Sequence, residues 1–131
     1  DKERYQLAMK AKEFFMLLWN APIQYICLEN PVPLKIINLL APDQSIQPFE
    51  FGHCYSKQTL LWLKNLPHLQ STKIIRHHTP YIKSSKHRGD YQPPSKTKQQ
   101  RSKTFEGIAQ AFAHQYGAVL RDGFNGKLFN L

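Results

Sequence analysis

Three groups of residues in this chain have the types and spacing that chemistry needs. Glu29 and Asn30 stand side by side after the apolar run YICL, with Pro31 and Pro33 following. A carboxylate and an amide at a strand end suit acid–base work on a polar ring edge, because ligands of open α/β sheets bind outside the carboxyl ends of strands. The plainer role for Glu29 is structural: its oxygens cap the amides of the 34–40 turn, or it pairs with a lysine. The second group is His53-Cys54 with His77-His78, four side chains of metal-ligating type. Their spacing fits no compact zinc pattern and adjacent residues seldom reach one ion, so no metal site is expected. The third is the stretch from Lys73 to Lys103, which holds nine Lys or Arg against one acid, Asp90, with Tyr81 and Tyr91 interleaved. Such a stretch neutralises phosphates and stacks bases, or else is a solvated, mobile loop. Its candidate phosphate contacts are Lys96, Lys98, Arg101 and Lys103.

Other chemistries lack their parts. There is no G-x-S-x-G nucleophile elbow, and the six glycines are scattered singly, so no phosphate-cradling loop exists. Two cysteines, Cys27 and Cys54, make neither a disulfide framework nor a four-ligand site. Cys27 lies inside the apolar run, where a small core residue is expected.

The elements that must position these groups follow from periodicity. Residues 3–20 place Leu7, Ala11, Phe14, Phe15, Leu18 and Trp19 at helical spacing, with Lys2, Lys10, Lys12 and Glu13 on the polar side. Leu7, Phe14, Phe15 and Leu18 are expected to pack on a sheet. Asn20-Ala21-Pro22 ends the helix. Residues 23–29 read as a strand covered on both faces, as in a parallel sheet, finishing before Pro31 because proline cannot donate to a ladder. Residues 34–40 suit one or two helical turns, and 45–52 an extended edge segment broken by Pro48. Thr59 to Leu63 is favoured as strand. Residues 104–117 form a helix with Thr104 as N-cap and Gly117 as stop. A helix feeding a strand is half of an α/β unit, which sets the fold class.

Bulk numbers bound the rest. The chain has 131 residues, 41% hydrophobic, enough for one domain or a C-terminal fragment of one, with a basic mobile loop at about 73–103. Its net charge is +9 and its pI about 9.7, which favours an anionic partner. No apolar run is long enough for a bilayer span. The opening DKERYQ is no secretory leader, so a reducing, cytoplasmic setting is expected. The missing initiator methionine leads us to expect an upstream segment.

Longer segments carry a resemblance. The order LENPVP, then DQSIQPFEFGHCYSKQTLLWLKNLPHLQST, then RSKTFEGIAQAFAHQYG is similar to the C-terminal half of a phage-borne DNA cytosine methyltransferase-like family, across roughly residues 5–117. QPFEFG followed by KQTLLWLKNLP is its most specific part. The resemblance implies a partial Rossmann-like, methyltransferase-type sheet with flanking helices, whose amino-terminal half this chain lacks. It implies DNA as partner, S-adenosylmethionine as cofactor and the cytoplasm of a phage or prophage host. Glu29-Asn30 looks like the Glu-Asn-Val motif of cytosine-5 methyltransferases, with Pro31 for Val, which sets the Glu against the ring of a flipped cytosine. No Pro-Cys nucleophile, glycine-rich cofactor segment or Arg-x-Arg pair occurs, so the chain alone is expected to be inactive. It needs the missing half, and its open sheet edge invites self-association. A basic, non-enzymatic nucleic-acid-binding module of phage origin is the alternative.

Overall fold

A computed structural model describes residues 1–81 and 97–124. Along the chain run α1 (Lys2–Trp19), β1 (Ile26–Pro31), a 3-10 turn (Lys35–Ile37), β2 (Gln44–Ile46) and a second 3-10 turn (Pro48–Glu50). Then follow β3 (Tyr55–Ser56), β4 (Thr59–Lys64), β5 (Thr79–Pro80), α2 (Lys98–Ser102), α3 (Glu106–Ala111), a π-helical turn (Phe112–Tyr116) and α4 (Gly117–Phe124). The fold mixes helix and sheet. It divides into two compact units: Asp1–Ser45 with Thr59–His68, and Ile46–Gln58 with the described residues from Leu69 onward. Among the described residues no helix is long and apolar enough to cross a membrane.

In the first unit, α1 opens on Asp1, whose carboxylate accepts from the amides of Glu3 (3.0 Å) and Arg4 (3.5 Å). That satisfies two of the amides a helix start leaves orphaned. At the other end the Lys64 ammonium donates to the Trp19 carbonyl and lies 4.9 Å from the centre of the Trp19 ring. A cation there complements the negative end of the helix dipole. The strand order in the sheet is β1-β4-β2. β4 is its centre: Thr59, Leu60, Leu61 and Trp62 are all buried, Leu61 and Trp62 completely. Successive strand residues point to opposite faces, so both faces of β4 are covered. The Trp62 ring meets Phe15 edge-on at 4.9 Å, and its Nε1 donates to the Leu40 carbonyl at 2.8 Å.

Three expectations change here. First, β1 pairs with β4 antiparallel, with Ile26 opposite Lys64 and Pro31 opposite Thr59, instead of lying in a parallel pair. Second, β1 does not stop before Pro31 but includes it. A margin strand admits a terminal proline because its last amide need not bond a neighbour. Third, the apolar stripe of α1 is not packed away. Phe15 is half-buried, yet Phe14 and Leu7 are each 62% exposed and Leu18 40%. Helical spacing reports that a stripe exists, not that this unit covers it.

In the second unit the Pro48–Glu50 turn is closed by a reciprocal cap: the Gln47 amide donates to Glu50 Oε2 at 2.6 Å, while the Gln47 side chain accepts from Glu50. Proline at the first position suits such a turn. Residues 72–81 then run beside 49–56. Gly52 N donates to the Lys73 carbonyl (2.8 Å), Ile75 N to Phe49 (2.7 Å), Thr79 N to Cys54 (3.0 Å) and Tyr81 N to Ser56 (2.9 Å). β3 and β5 pair in parallel within this ladder. Gly52 has φ +89, a backbone that L side chains avoid.

The expected 104–117 helix starts later and runs on. Its N-cap is Phe105, with no side-chain cap, in place of Thr104. Gly117 is not a stop: at φ −60 and ψ −38 it keeps right-handed helical geometry and leads into α4. Glycine ends a helix only where it turns left-handed. The π turn before it absorbs an extra residue while Ile108, Ala111 and Tyr116 stay buried.

Candidate functional site

Glu29 and Asn30 reach the first unit's concavity by the register of β1. Antiparallel pairing sets Glu29 opposite Leu61 and Asn30 opposite Leu60. Alternation along the strand leaves Ile26 buried and Leu28 half-buried, while Glu29 is exposed. After Pro31, the chain passes Pro33 into the 3-10 turn, where Ile37 is buried. The turn ends on Asn38, a left-handed residue with φ 45 and ψ 58. Asparagine tolerates that region better than most side chains.

Lys12 ties this turn to α1. Its Nζ donates to the carbonyls of Ile37 (2.6 Å) and Asn38 (3.1 Å), the groups left open where the turn ends. The result is a concavity of about 240 Å³. Phe14, Phe15 and Leu18 of α1 wall one side, Leu28, Glu29 and Asn30 of β1 another, and Ile37 and Leu39 a third. Most of that wall is hydrocarbon or aromatic, and among the described residues Glu29 is its one carboxylate.

The capping role for Glu29 is not what the structure holds. The amides of Ile37 and Asn38 donate to the carbonyls of Leu34 and Lys35, within the turn itself. Among the described residues the Glu29 carboxylate accepts no hydrogen bond from any protein group. An acceptor of that strength, open at the edge of an apolar hollow, suits a donor carried by a flat ligand. Asn30 beside it offers both a donor and an acceptor.

Cys27 precedes Glu29 by two residues and is half-buried. Burial first, and then the negative charge of Glu29, push its thiol up to about 11. A thiol so raised stays protonated at neutral pH and is a poor nucleophile. Cys54 is exposed in the second unit. Among the described residues no three His, Cys, Asp or Glu side chains gather as metal ligands.

The candidate phosphate contacts are placed only in part. Lys96 lies outside the described residues, as do Tyr91 and the side chains of Lys98 and Arg101; Lys103 is exposed. Tyr81 is not a free stacking surface. It packs edge-on with Tyr55 (5.4 Å) and Phe105 (4.9 Å), with Lys57 Nζ 5.5 Å from its ring centre. His53 joins the cluster through Phe105 and accepts the Gly107 amide at Nε2, 2.9 Å away.

Sequence reasoning missed Lys12, placed on the polar face, and Leu39. A lysine's donors reach past its own face on a long stem, and no periodic pattern registers that. Nor did the sequence single out Phe49, whose ring stacks on His78 with centres 3.9 Å apart and planes 5° from parallel. No family model, no curated protein and no solved structure matches the chain.

Proposed function

We propose that the first unit forms the target-base side of a DNA cytosine-5 methyltransferase-like pocket. One observation carries the reading: Glu29 stands without a protein hydrogen-bond partner among the described residues, on the rim of a hollow walled by Phe14 and Phe15. A flipped cytosine presents an exocyclic amine and N3 along one ring edge. As a carboxylate Glu29 accepts from the exocyclic amine; as the carboxylic acid it donates its proton to N3, and that bond stabilises the electron density moved into the ring during addition at C6. The aromatic wall takes the ring faces, and Asn30 orients the carboxyl side. A mixed doubly wound sheet often carries an antiparallel strand near its margin. On this reading β4 is that strand, and the margin of β1 receives the Rossmann-like half that the resemblance implies, or a second copy.

The 131 residues do not fit S-adenosylmethionine itself. They contain no glycine-rich turn, and the hollow of about 240 Å³ falls below the usual range for sites of that size. They also supply no Pro-Cys, and Cys27 is held protonated. The reading therefore gives this chain the recognition of the base, and neither the nucleophile nor the methyl donor. A second reading, a non-enzymatic nucleic-acid-binding module, draws on the second unit, which carries twelve Lys or Arg against four acids.

Labelled oligothymidine with one central cytosine, compared with all-thymine strands, tests the pocket. Wild-type protein should prefer the cytosine strand, and Glu29→Gln should erase the preference with its thermal midpoint unchanged. Equal binding of both strands by the wild type, or a preference that survives in Glu29→Gln, would reject the pocket.

A further inference from the structure

The second unit holds a feature that the base pocket does not use. Residues 73–78 are not part of a loose loop: they lie in the ladder that fastens 72–81 to 49–56, bonded at Lys73, Ile75, Thr79 and Tyr81. From this fixed backbone Lys73, Ile74, Arg76, His77 and His78 are all exposed. Among the described residues the side chains of Lys73 and Arg76 have neither ion pair nor hydrogen bond. The described acids of the unit are engaged elsewhere or lie in other elements. Glu50 accepts the Gln47 amide, Glu106 accepts from Gln110, and Asp122 is in α4. His78 lies flat on Phe49 on one face of its imidazole, and the residue is exposed.

We infer that Lys73, Arg76 and His78 form a binding ledge for single-stranded nucleic acid. Cations set along an ordered backbone neutralise successive phosphates, and a ring backed by a second ring gives a base a firm surface to stack on. A fixed ledge also loses less entropy on binding than a chain ordered only by its ligand. Charge complementarity selects the partner: the second unit contributes eight of the nine net positive charges of the chain. The ledge rests on the nucleic-acid reading common to both proposed functions, but not on the cytosine pocket.

The test is fluorescence anisotropy with labelled oligothymidine, which contains no cytosine, across a range of salt. The double variant Lys73→Ala/Arg76→Ala should bind about tenfold or more weakly. Its log–log salt slope should fall by about 1.4, roughly 0.7 for each of two single-strand phosphates no longer neutralised. His78→Ala should weaken binding about fivefold or more, whereas His78→Phe, which keeps the stack, should bind nearly as wild type. The same double variant should keep the wild type's preference for the cytosine-bearing strand over the all-thymine strand, so failure of the pocket and failure of the ledge are distinguishable. An unaltered salt slope in the double variant overturns the ledge, as does a loss in His78→Phe equal to that in His78→Ala. On wild-type protein, tighter binding of a duplex of equal length, or equal competition by polyglutamate, overturns single-stranded nucleic acid as the partner.

Discussion

The two compact units divide the surface chemistry of the chain between them. The first is almost neutral, with six Lys or Arg against five acids, and ten of the twelve large exposed hydrophobic side chains among the described residues belong to it. The second carries twelve cations against four acids and exposes only Ile74 and Leu120 of that set. Singly scattered exposed apolar residues are ordinary, so what separates the units is their unequal share of them. Beside it β1 is a margin strand of the sheet. The units thus expose different physics: apolar area and a strand margin unpaired among the described residues in one, an excess of positive charge in the other.

The comparison breaks most easily at the buried centre of each unit. Trp62 is fully buried and holds the Leu40 carbonyl as well as Phe15. Trp62→Ala should cost about 3–5 kcal/mol, through lost area and an unfilled cavity. Phe14→Ala, by contrast, should stay within about 0.5 kcal/mol, because that ring is 62% exposed. Chemical denaturation of the two variants checks both values. A large loss in Phe14→Ala would mean that the stripe of α1 is packed after all.

The second unit has a different weak point. A Cβ on Gly107 would stand 2.1 Å from the Phe51 carbonyl oxygen and 2.9 Å from His53 Nε2. The first neighbour is backbone and cannot swing aside, so α3 must move and the Gly107–His53 bond must lengthen. Gly107→Ala should cost about 1–3 kcal/mol, the usual range for overpacking. Faster amide exchange at Ile108 and Ala111 would report it. Wild-type stability in that variant would refute the close approach. Since Phe51 and His53 belong to FEFGH and Gly107 to FEGIA, two segments far apart in sequence meet at this point.

Local pattern and tertiary pairing explain which elements the sequence makes legible. α1 is legible because apolar spacing and a following proline are local signals; so is β4, whose run of four buried residues is the longest among the described residues. Pairing direction is not, since an unbroken apolar run such as that of β1 fits any strand covered on both faces, parallel or antiparallel. The rim position of Glu29 is legible from strand, amide and prolines, but for a partly wrong reason. The strand does not end before Pro31; its register with β4 is what brings Glu29 to the hollow. Gly117 misleads because glycine permits a left-handed turn without requiring one. Lys12, Phe49 and the backbone bonds that hold 72–81 to 49–56 depend on partners far apart in sequence, which no window of residues contains.

The smallest expected effect sharpens the first unit and rests on Cys27. Its thiol is raised to about 11, chiefly by burial and then by Glu29, against about 8.5 for a thiol in an unfolded chain. In the folded protein it therefore stays protonated over a range where the unfolded chain already ionises. Stability from this difference is fully present below about pH 8.5 and is lost as pH rises from there through about 11. Cys27→Ala should lessen the alkaline fall relative to wild type, with the contributions of lysines and tyrosines common to both proteins. Glu29→Gln removes the second cause and leaves the first. The thiol should then react with an alkylating agent at a somewhat lower pH, while exposed Cys54 reacts as before. Mass spectrometry of the two cysteine peptides after timed alkylation separates them. A Cys27 profile identical in wild type and Glu29→Gln would show that the carboxylate does not act on the thiol, and that Glu29 points away from the strand position assigned to it.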